Sequence, residues 1–548
     1  MSLPVAPVPP TFPDTFNLAE YFLDRRITEG HGDRIAVVDD RGEYTYARVH
    51  ALAEHVAGAL WQAGIRPEDR CLIGLWDCVE FAASFFGIAK AGAVVAMVNP
   101  ELADGDYLGY LSYTRCRALI VDAALYSRLA AHLAAAEGAI DCLRLIVVVD
   151  TQAPPMATPA LPAPPAGVTL RSWADVLSSP RRGTYATSKD DPAVWLFTSG
   201  STGKPKAAVH FHHDFAYNTE CYAKQVLRIS EADVTLAVPK LYFGYATGTN
   251  LLFPFSVGAK TVLYRDRWSP ERLFDLVARH RATILTGVPT AMSRMLEADP
   301  DRKRSLQPLR VVLSAGEALP EELFRRFLSA YGVEILDGIG SAELFHIYIS
   351  NRLGEVRPGS LGRLVPGYQA RVVRDDGSEW GRDAEVGEIG TLWVRGDSAA
   401  LCYWQAHESS KKTLRGDWVV SGDLFHRDAE GFFYYDGRAD DLLKLGGIFV
   451  SPLEVEGALL QHEAVLEVAV VGEENAEGLI KGLAFVVVHS SHSATEDLAR
   501  SILAFGKTRL AHYKVPQRVE FVAALPRSDR GKVLRRVLQQ RPADSRVG

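Results

Sequence analysis

Phe197-Thr198-Ser199-Gly200-Ser201-Thr202-Gly203-Lys204-Pro205-Lys206 gathers four hydroxyl residues, two glycines and two lysines into one short stretch. Such a loop can wrap a polyphosphate. Gly200 and Gly203 permit turns that bring backbone N–H groups close to phosphate oxygens, and the hydroxyl and ammonium groups supply further donors. The run before it, Ala193-Val194-Trp195-Leu196-Phe197, reads as a buried strand, and Ala207-Ala208-Val209 as the next. The arrangement is therefore strand–loop–strand. A Walker loop needs G-x-x-x-x-G-K-[ST] opening a helix, and Pro205 would remove an amide from that cradle. A plain Gly/Ser surface turn stays open on this stretch alone.

Outward from the loop the chain alternates helices and strands. Thr45-Tyr46-Ala47 opens a helix running to about Gly64, Arg70–Leu75 reads as a strand, Glu80–Gly92 as an Ala-rich helix and Ala93–Val98 as a strand. That rhythm predicts parallel or mixed sheets covered by helices, an α/β class. The Pro/Ala-rich segment 151–168 reads as a surface excursion. Helix signals return at Leu273, Phe274 and Val277, and strand signals at Thr283-Ile284-Leu285 and Val311-Val312-Leu313. After Glu385, Gly390–Val394 and Phe432–Tyr435 have the short strands of a small β-barrel-like subdomain. Beyond Asp441 a compact α+β pattern follows: helix 452–461, strands 465–471 and 483–488, helix 494–510 and strand 517–521. The expected division is a large N-terminal domain, 1–439, and a small mobile C-terminal domain, 440–548.

The 548 residues exceed one hydrophobic core. Apolar content of 47% and charged content of 23% suit a soluble enzyme, and a net charge of -7 lacks the basic footprint of a nucleic-acid binder. The six cysteines form no C-x-x-C, so neither a zinc site nor a disulfide framework is indicated. The most apolar candidate span, Phe85–Val98, is short of the roughly 18 residues a membrane crossing needs and carries Lys90. The N-terminal stretch has no signal-peptide pattern. A cytoplasmic protein without membrane partners is expected.

Five blocks in order resemble the adenylate-forming superfamily of acyl-CoA synthetases, luciferases and peptide-synthetase adenylation domains. They are the 197–206 loop, Ser314-Ala315-Gly316-Glu317-Ala318, Asp337-Gly338-Ile339-Gly340-Ser341-Ala342-Glu343, Ser421-Gly422-Asp423 with Gly437-Arg438-Ala439-Asp440-Asp441, and Leu525-Pro526-Arg527-Ser528-Asp529-Arg530-Gly531-Lys532. The resemblance spans about Leu18 to Leu538. It implies activation of a carboxylic acid by ATP to an acyl-adenylate, followed by transfer to a thiol. Two anions must meet in the first step, so catalysis rests on positioning and charge neutralisation.

The resemblance implies roles residue by residue. Thr198, Ser199, Gly200, Ser201, Thr202, Gly203 and Lys206 would hold the β- and γ-phosphates of ATP. Glu343 would help hold Mg²⁺, a hard cation that takes oxygen ligands. Gly316, Glu317 and Ala318 would face adenine, with Asp337, Gly338 and Ile339 on the ring's other side. Asp423 would accept both ribose hydroxyls, and Arg438 would make a second ribose or phosphate contact. Lys532 would bridge the carboxylate and the α-phosphate. Asp440 would be the hinge, with Lys444, Gly446 and Gly447 lining a channel for coenzyme A. Two departures stand out: Ala342 replaces a usual threonine, and Asp529-Arg530 replaces small or uncharged residues.

Lys240–Tyr245, Asp337–Gly340 and Leu344–Asn351 resemble the benzoate-CoA ligases. The resemblance places Gly244, Tyr245, Ala315, Gly340, His346 and Ile347 around an aromatic ring. The residue types agree: glycine and alanine leave a flat slot, Tyr245 and Ile347 give apolar walls, and His346 offers one polar handle. Gly244 stands where those enzymes often carry alanine, which would admit a ring substituent. The leading expectation is an aryl-CoA ligase for benzoate or a substituted benzoate such as 2-aminobenzoate, monomeric or homodimeric. The alternatives are a stand-alone adenylation enzyme loading a phosphopantetheine carrier protein, and an adenylate-binding protein that has lost catalysis. Intact Lys206, Glu343, Asp423, Arg438 and Lys532 argue against the last.

Overall fold

The structure is a computed structural model that describes residues 9–136, 138, 140–152, 161–199, 205–299, 301, 304, 306–438, 443–445, 448–474, 480–489, 491–527 and 533–540. Two large sheets carry the chain up to the β-rich region. In the eight-stranded sheet the strands Arg70–Gly74, Val94–Met97, Ala118–Asp122, Leu145–Val149 and Thr169–Ser172 run parallel. Pro192–Ser199 joins them in parallel beside Val94–Met97, and Pro205–Phe211 then turns back against it. The nine-stranded sheet has a parallel centre, with Ile284–Gly287, Val311–Ser314 and Ile335–Gly340 side by side. Ile347–Ser350 lies antiparallel to Ile335–Gly340, and Arg363–Leu364 ends that side of the sheet.

The local signals explain these elements. Thr45 caps the helix Tyr46–Gln62, its side chain accepting from the Arg48 N–H at 3.2 Å. The next helix, Val79–Lys90, is buried at every position, as expected of a helix apolar all round. Its two charged members are paired: Glu80 with Arg41, and the Lys90 ammonium with Asp24 at 2.5 Å and Thr184 at 2.9 Å. The apolar run that contained Lys90 is thus core helix and core strand, and among the described residues no helix is long and apolar enough to cross a membrane.

The β-rich unit is an antiparallel sheet of six strands, with register shifts between Thr391 and Trp393 and between Leu424 and Phe425 that curl it. From 443 on, a three-stranded sheet (Val465–Glu474, Ile480–Val488, Arg518–Phe521) packs with the helices Pro452–Leu459 and Glu496–Arg509. Its cores, around Val455, Leu459, Val470, Ala484, Val486 and Ile502 and around Val471, Phe485, Leu525 and Leu538, contain no residue before Leu443. Of the 151–168 excursion, 153–160 lie outside the described residues. The rest has no helix or strand and is tied down where the Tyr126 hydroxyl donates to the Pro162 carbonyl at 3.1 Å.

Candidate active site

The strand–loop–strand reading holds. Pro192–Ser199 and Pro205–Phe211 are antiparallel partners, with Thr198 opposite Lys206 and Ser199 opposite Pro205. Opposite residues share a face of the sheet, so the Thr198 hydroxyl and the Lys206 ammonium serve one side of the loop. Gly200, Ser201, Thr202 and Gly203 lie outside the described residues, as does the side chain of Ser199.

A third strand, Cys402–Tyr403, adds to this hairpin, with Tyr403 opposite Ala208. Lys206 Nζ lies 5.5 Å from the centre of the Tyr403 ring. The Tyr403 hydroxyl in turn donates to Oε1 of Glu343. Lys206, Tyr403 and Glu343 therefore form one continuous surface, although the sequence scatters them.

Glu343 sits in a 3₁₀ turn, Ala342–Leu344, whose carbonyls are all gripped. The ring nitrogen Nε2 of His210 is 2.6 Å from the Ala342 carbonyl, the Ala400 N–H donates to the Glu343 carbonyl at 2.8 Å, and the Ser398 hydroxyl donates to Leu344 at 3.0 Å. His210 is itself buried against Asp214, with Nδ1 2.7 Å from the carboxylate. The chain then turns at Phe345, where φ is 67° and ψ is −57°, and the His346 N–H donates back to the Leu344 carbonyl at 2.9 Å. That is a classic-sense γ-turn, a rare and strained conformation. Burial of Phe345 against Phe215, with ring centres 4.5 Å apart, holds it in place. The turn puts Glu343 and His346 on either side of one fixed corner.

His346 is the centre of an aromatic box: its ring lies 4.7 Å from Phe253, 5.2 Å from Tyr245 and 5.7 Å from Tyr222. Nε2 is 3.0 Å from the Tyr245 carbonyl, which can only accept, so Nε2 carries the proton and Nδ1 is the acceptor. Burial lowers this imidazole's pKa to about 3, so the ring is neutral. Among the described residues, His346 Nδ1 and the Tyr245 hydroxyl are buried with no hydrogen-bond partner.

Gly340 and Ile347 are cross-strand neighbours, and a Cβ on Gly340 would stand 2.5 Å from the His346 carbonyl oxygen. Ala315 is buried at the end of its strand. A Cβ on Gly244 would reach Leu196 at 3.4 Å and the Phe345 carbonyl at 3.8 Å, ordinary contacts. The glycine pressed on His346 is Gly248, where a Cβ would stand 2.3 Å from His346 Cδ2.

The segments expected to face the nucleotide sit where parallel strands end, the usual ligand edge of an open α/β sheet. Ser314 pairs with Asp337, so Gly316, Glu317 and Ala318 emerge beside Gly338 and Ile339. Gly316 has a φ of +86°, which favours glycine. The Asp337 carboxyl points inward; burial pushes its pKa up to about 7. Glu317 is engaged, its Oε2 accepting from the Thr290 hydroxyl at 2.8 Å and N–H at 3.3 Å.

Asp423 and Arg438 are direct cross-strand partners in the curled sheet, although fourteen residues separate them in sequence. The Tyr435 hydroxyl donates to Asp423 at 3.4 Å. Lys444 lies in a short hairpin opposite Phe449; its side chain and that of Arg438 are outside what is described. Asp440, Gly446, Gly447 and Lys532 are outside the described residues altogether.

Sequence reading missed Tyr403, His210, Gly248, Tyr222 and Phe253. Only the i, i+4 spacing of His210 and Asp214 carries a signal, because the other contacts are made across separate elements.

A profile of the AMP-binding enzyme family matches residues 24–404, and that of the AMP-binding enzyme C-terminal domain matches 454–532. A benzoate–CoA ligase of Thauera aromatica is 39% identical over 95% of each chain. A crystal structure of a benzoate CoA ligase from Burkholderia xenovorans LB400 superposes with a TM-score of 0.85 at 38% identity, covering 96% of this chain and 100% of that one. An anthranilate CoA ligase solved in complex with anthranoyl-AMP superposes with a TM-score of 0.88 at 34% identity, covering 96% and 97%. With its hairpin loop, its paired Asp423 and Arg438 and these matches along both parts, the chain belongs to the family of AMP-binding enzymes.

Proposed function

We propose that the protein is an ATP-dependent aryl-CoA ligase acting on benzoate or a ring-substituted benzoate such as 2-aminobenzoate. The observation that carries this reading is the fixed corner at Phe345. It joins Glu343, beside Lys206 and Tyr403, to His346 inside an aromatic box. An activation surface and a flat apolar slot share one turn of backbone. The neutral His346 ring presents an acceptor at Nδ1, which supports a ring substituent that donates, such as an amino or hydroxyl group.

In this reading a carboxylate oxygen of the acid attacks the α-phosphorus of ATP, and the bond to pyrophosphate breaks. The sulfur of coenzyme A then attacks the acyl carbon of the adenylate, its proton goes to solvent, and AMP leaves. Thr198 and Lys206, with the 199–203 backbone and hydroxyls, hold the β- and γ-phosphates. Asp423 accepts from the ribose hydroxyls with Arg438 opposite. Residues 316–318 and 337–339 flank adenine, and Lys532 bridges the reacting carboxylate and phosphate.

Among the described residues no group of three or more His, Cys, Asp or Glu side chains converges. The donor set is one carboxylate, Glu343, with hydroxyls nearby. It fits Mg²⁺, which takes one or two carboxylates and completes its shell with phosphates and water. When bound, Mg²⁺ neutralises phosphate charge; the chain's part is to aim Glu343, which the Tyr403 hydroxyl and the gripped carbonyls of 342–344 accomplish. The small domain, 440–548, turns about Asp440 between the two steps, and Lys444, Gly446 and Gly447 line the thiol channel.

The test is a panel of benzoate, 2-aminobenzoate, hydroxybenzoates and phenylacetate with ATP, Mg²⁺ and free coenzyme A, read by AMP release and product mass. Aryl-CoA from the benzoates is the expected result. Aryl-adenylate without thioester would favour loading of a carrier protein, and no adenylate from any acid would overturn the reading.

A further inference from the structure

Arg527 belongs to the last sequence block, five residues before Lys532, yet the reaction described above gives it no work. Its surroundings are specific. Nη1 donates to Oε1 of Glu317 at 3.1 Å, and Nη2 donates to Oε2 of Glu467 at 3.0 Å. Glu467 lies on the small domain's own sheet, whereas Glu317 belongs to the adenine-facing segment of the large domain. The guanidinium is thus a fork with one arm at home and one across the boundary. All three side chains are largely buried, Arg527 being 22% exposed, Glu467 21% and Glu317 14%. Arg–carboxylate pairs of this kind are charge-assisted and directional.

Charge makes the guanidinium hard to dispense with. Glu297, on the helix that also supplies Thr290, lies close enough to Glu467 for the two charges to oppose each other. Glu317 and Glu467 likewise oppose each other, and Arg527 donates to both.

The backbone explains why the contact matters for chemistry. Arg527 is bridged antiparallel to Val533, and the Leu534 N–H donates to the Pro526 carbonyl at 2.8 Å. These bonds close a stem, and the residues between its two sides are 528–532, ending at Lys532. The far side of the stem is anchored in the small domain, since Arg535 donates to both oxygens of Glu456 at 2.7 and 2.8 Å. Whatever fixes Arg527 fixes the base of the segment that carries Lys532.

We propose that Arg527 is a positioning residue for adenylate formation: its pair with Glu317 docks the base of the stem that leads to Lys532 on the adenine-facing segment, and it releases before thioester formation. The proposal rests on the reading of Lys532 given above. In the docked state Arg527 spans both domains. If the small domain turns away, the arm to Glu467 travels with it and the arm to Glu317 breaks, so the latch is selective for one half-reaction.

The test uses the full chain and measures the half-reactions separately: pyrophosphate release from ATP and benzoate without coenzyme A, and aryl-CoA formation from supplied benzoyl-adenylate. Arg527→Gln should lower kcat of the first about tenfold, since small losses of alignment cost rates of that order. KM for ATP should stay within about twofold, and the second half-reaction should be unchanged or faster. Arg527→Lys should recover part of the loss. Glu317→Gln should cost a similar factor, and Arg527→Gln/Glu317→Gln should be little worse than either single change, because the two act as a pair.

Equal loss in both half-reactions, unchanged adenylation in Arg527→Gln, or multiplicative losses in the double variant would each overturn the latch. Should Arg527→Gln fail to fold, Arg527→Lys and Glu317→Gln keep the comparison available. Adenylation surviving in Lys532→Ala would instead overturn the assignment of Lys532, an outcome separable from the Arg527–Glu317 coupling.

Discussion

The proposed nucleotide half and the proposed aryl half of this site are built on different principles. The nucleotide half is set by strand register: Thr198 faces Lys206, Tyr403 faces Ala208, and Asp423 faces Arg438. Its polar groups stand on paired strands, and each is aimed by a backbone ladder. The aryl half is set by packing. Tyr245 and Phe253 lie on one helical run, 244–255, and their rings meet those of Tyr222 and His346, from two other segments, in one space. A register-built surface tolerates changes of side-chain volume but not of charge; a packed box is sensitive first to volume. The strained turn at Phe345 is where the two meet.

The sharpest break should come on the charge side. Lys532→Ala removes the only cation proposed to touch both reacting anions, so adenylation should fall by about two to three orders of magnitude, the scale of losing one electrostatic stabiliser in a reacting site. Thioester formation from a supplied adenylate should stay within a few-fold. Single-turnover assays of each half-reaction check it, and parallel loss in both would end the assignment.

Volume should decide matters on the aryl side. A Cβ on Gly248 would stand 2.3 Å from His346 Cδ2, whereas one on Gly244 would reach Leu196 at 3.4 Å. Gly248→Ala should therefore displace His346 at a cost of about 1–3 kcal/mol, lowering kcat/KM roughly tenfold or more for every aryl acid. Gly244→Ala should leave benzoate within about twofold. The opposite ranking would mean that His346 does not bound the slot.

Much of the fold was legible because its signals are local. The hairpin was announced by two apolar runs around a Gly/Ser/Thr loop, the second of them, 207–209, reading as a strand. The helix Tyr46–Gln62 carried its own cap in Thr45, and the run through Lys90 was correctly denied to a membrane once one lysine was weighed against its length. Glu317 and Asp337 sat in contiguous blocks at or just after neighbouring parallel strands, where chain order and spatial order coincide. Gly248 and Tyr403 were not legible for the converse reason. Their importance lies in contacts about 100 and 60 residues away in sequence, with His346 and Glu343, and no spacing rule connects them. The expected aryl pocket was read through resemblance, which named Gly244 but not Gly248, one helical turn later, where a Cβ would meet the His346 ring.

A milder change should sharpen the boundary between the halves. Tyr403→Phe keeps the ring beside Lys206 and removes only the hydroxyl that donates to Glu343. Losing one hydrogen bond to a charged group costs about 1.5–3 kcal/mol, and here it should appear as a higher Mg²⁺ concentration for half-maximal adenylation. KM for benzoate should not move. A changed benzoate KM with unaltered Mg²⁺ dependence would place Tyr403 on the aryl side instead.

The smallest effect is also the most selective. His346 is neutral in the folded protein because burial lowers its pKa from an ordinary 6.5 to about 3. The folded state therefore binds fewer protons than the unfolded one between those values. The stability this group contributes is complete above about pH 7 and is lost as pH falls through 6.5 toward 3. His346→Leu should flatten that acid limb, visible as a smaller drop in Tm between pH 7 and pH 5. Its catalytic effect follows from Nδ1, the acceptor left over once Nε2 donates to Tyr245. Leucine offers no lone pair, so an acid whose substituent donates should lose about 1 kcal/mol, near fivefold in kcat/KM, while benzoate changes little. Because the ring carries no charge above pH 7, the ratio of 2-aminobenzoate to benzoate in the parent enzyme should be the same at pH 7 and pH 9. A ratio that shifts across that range, or an equal loss for both acids in His346→Leu, would mean that Nδ1 does not meet the substituent and that the aromatic box recognises shape alone.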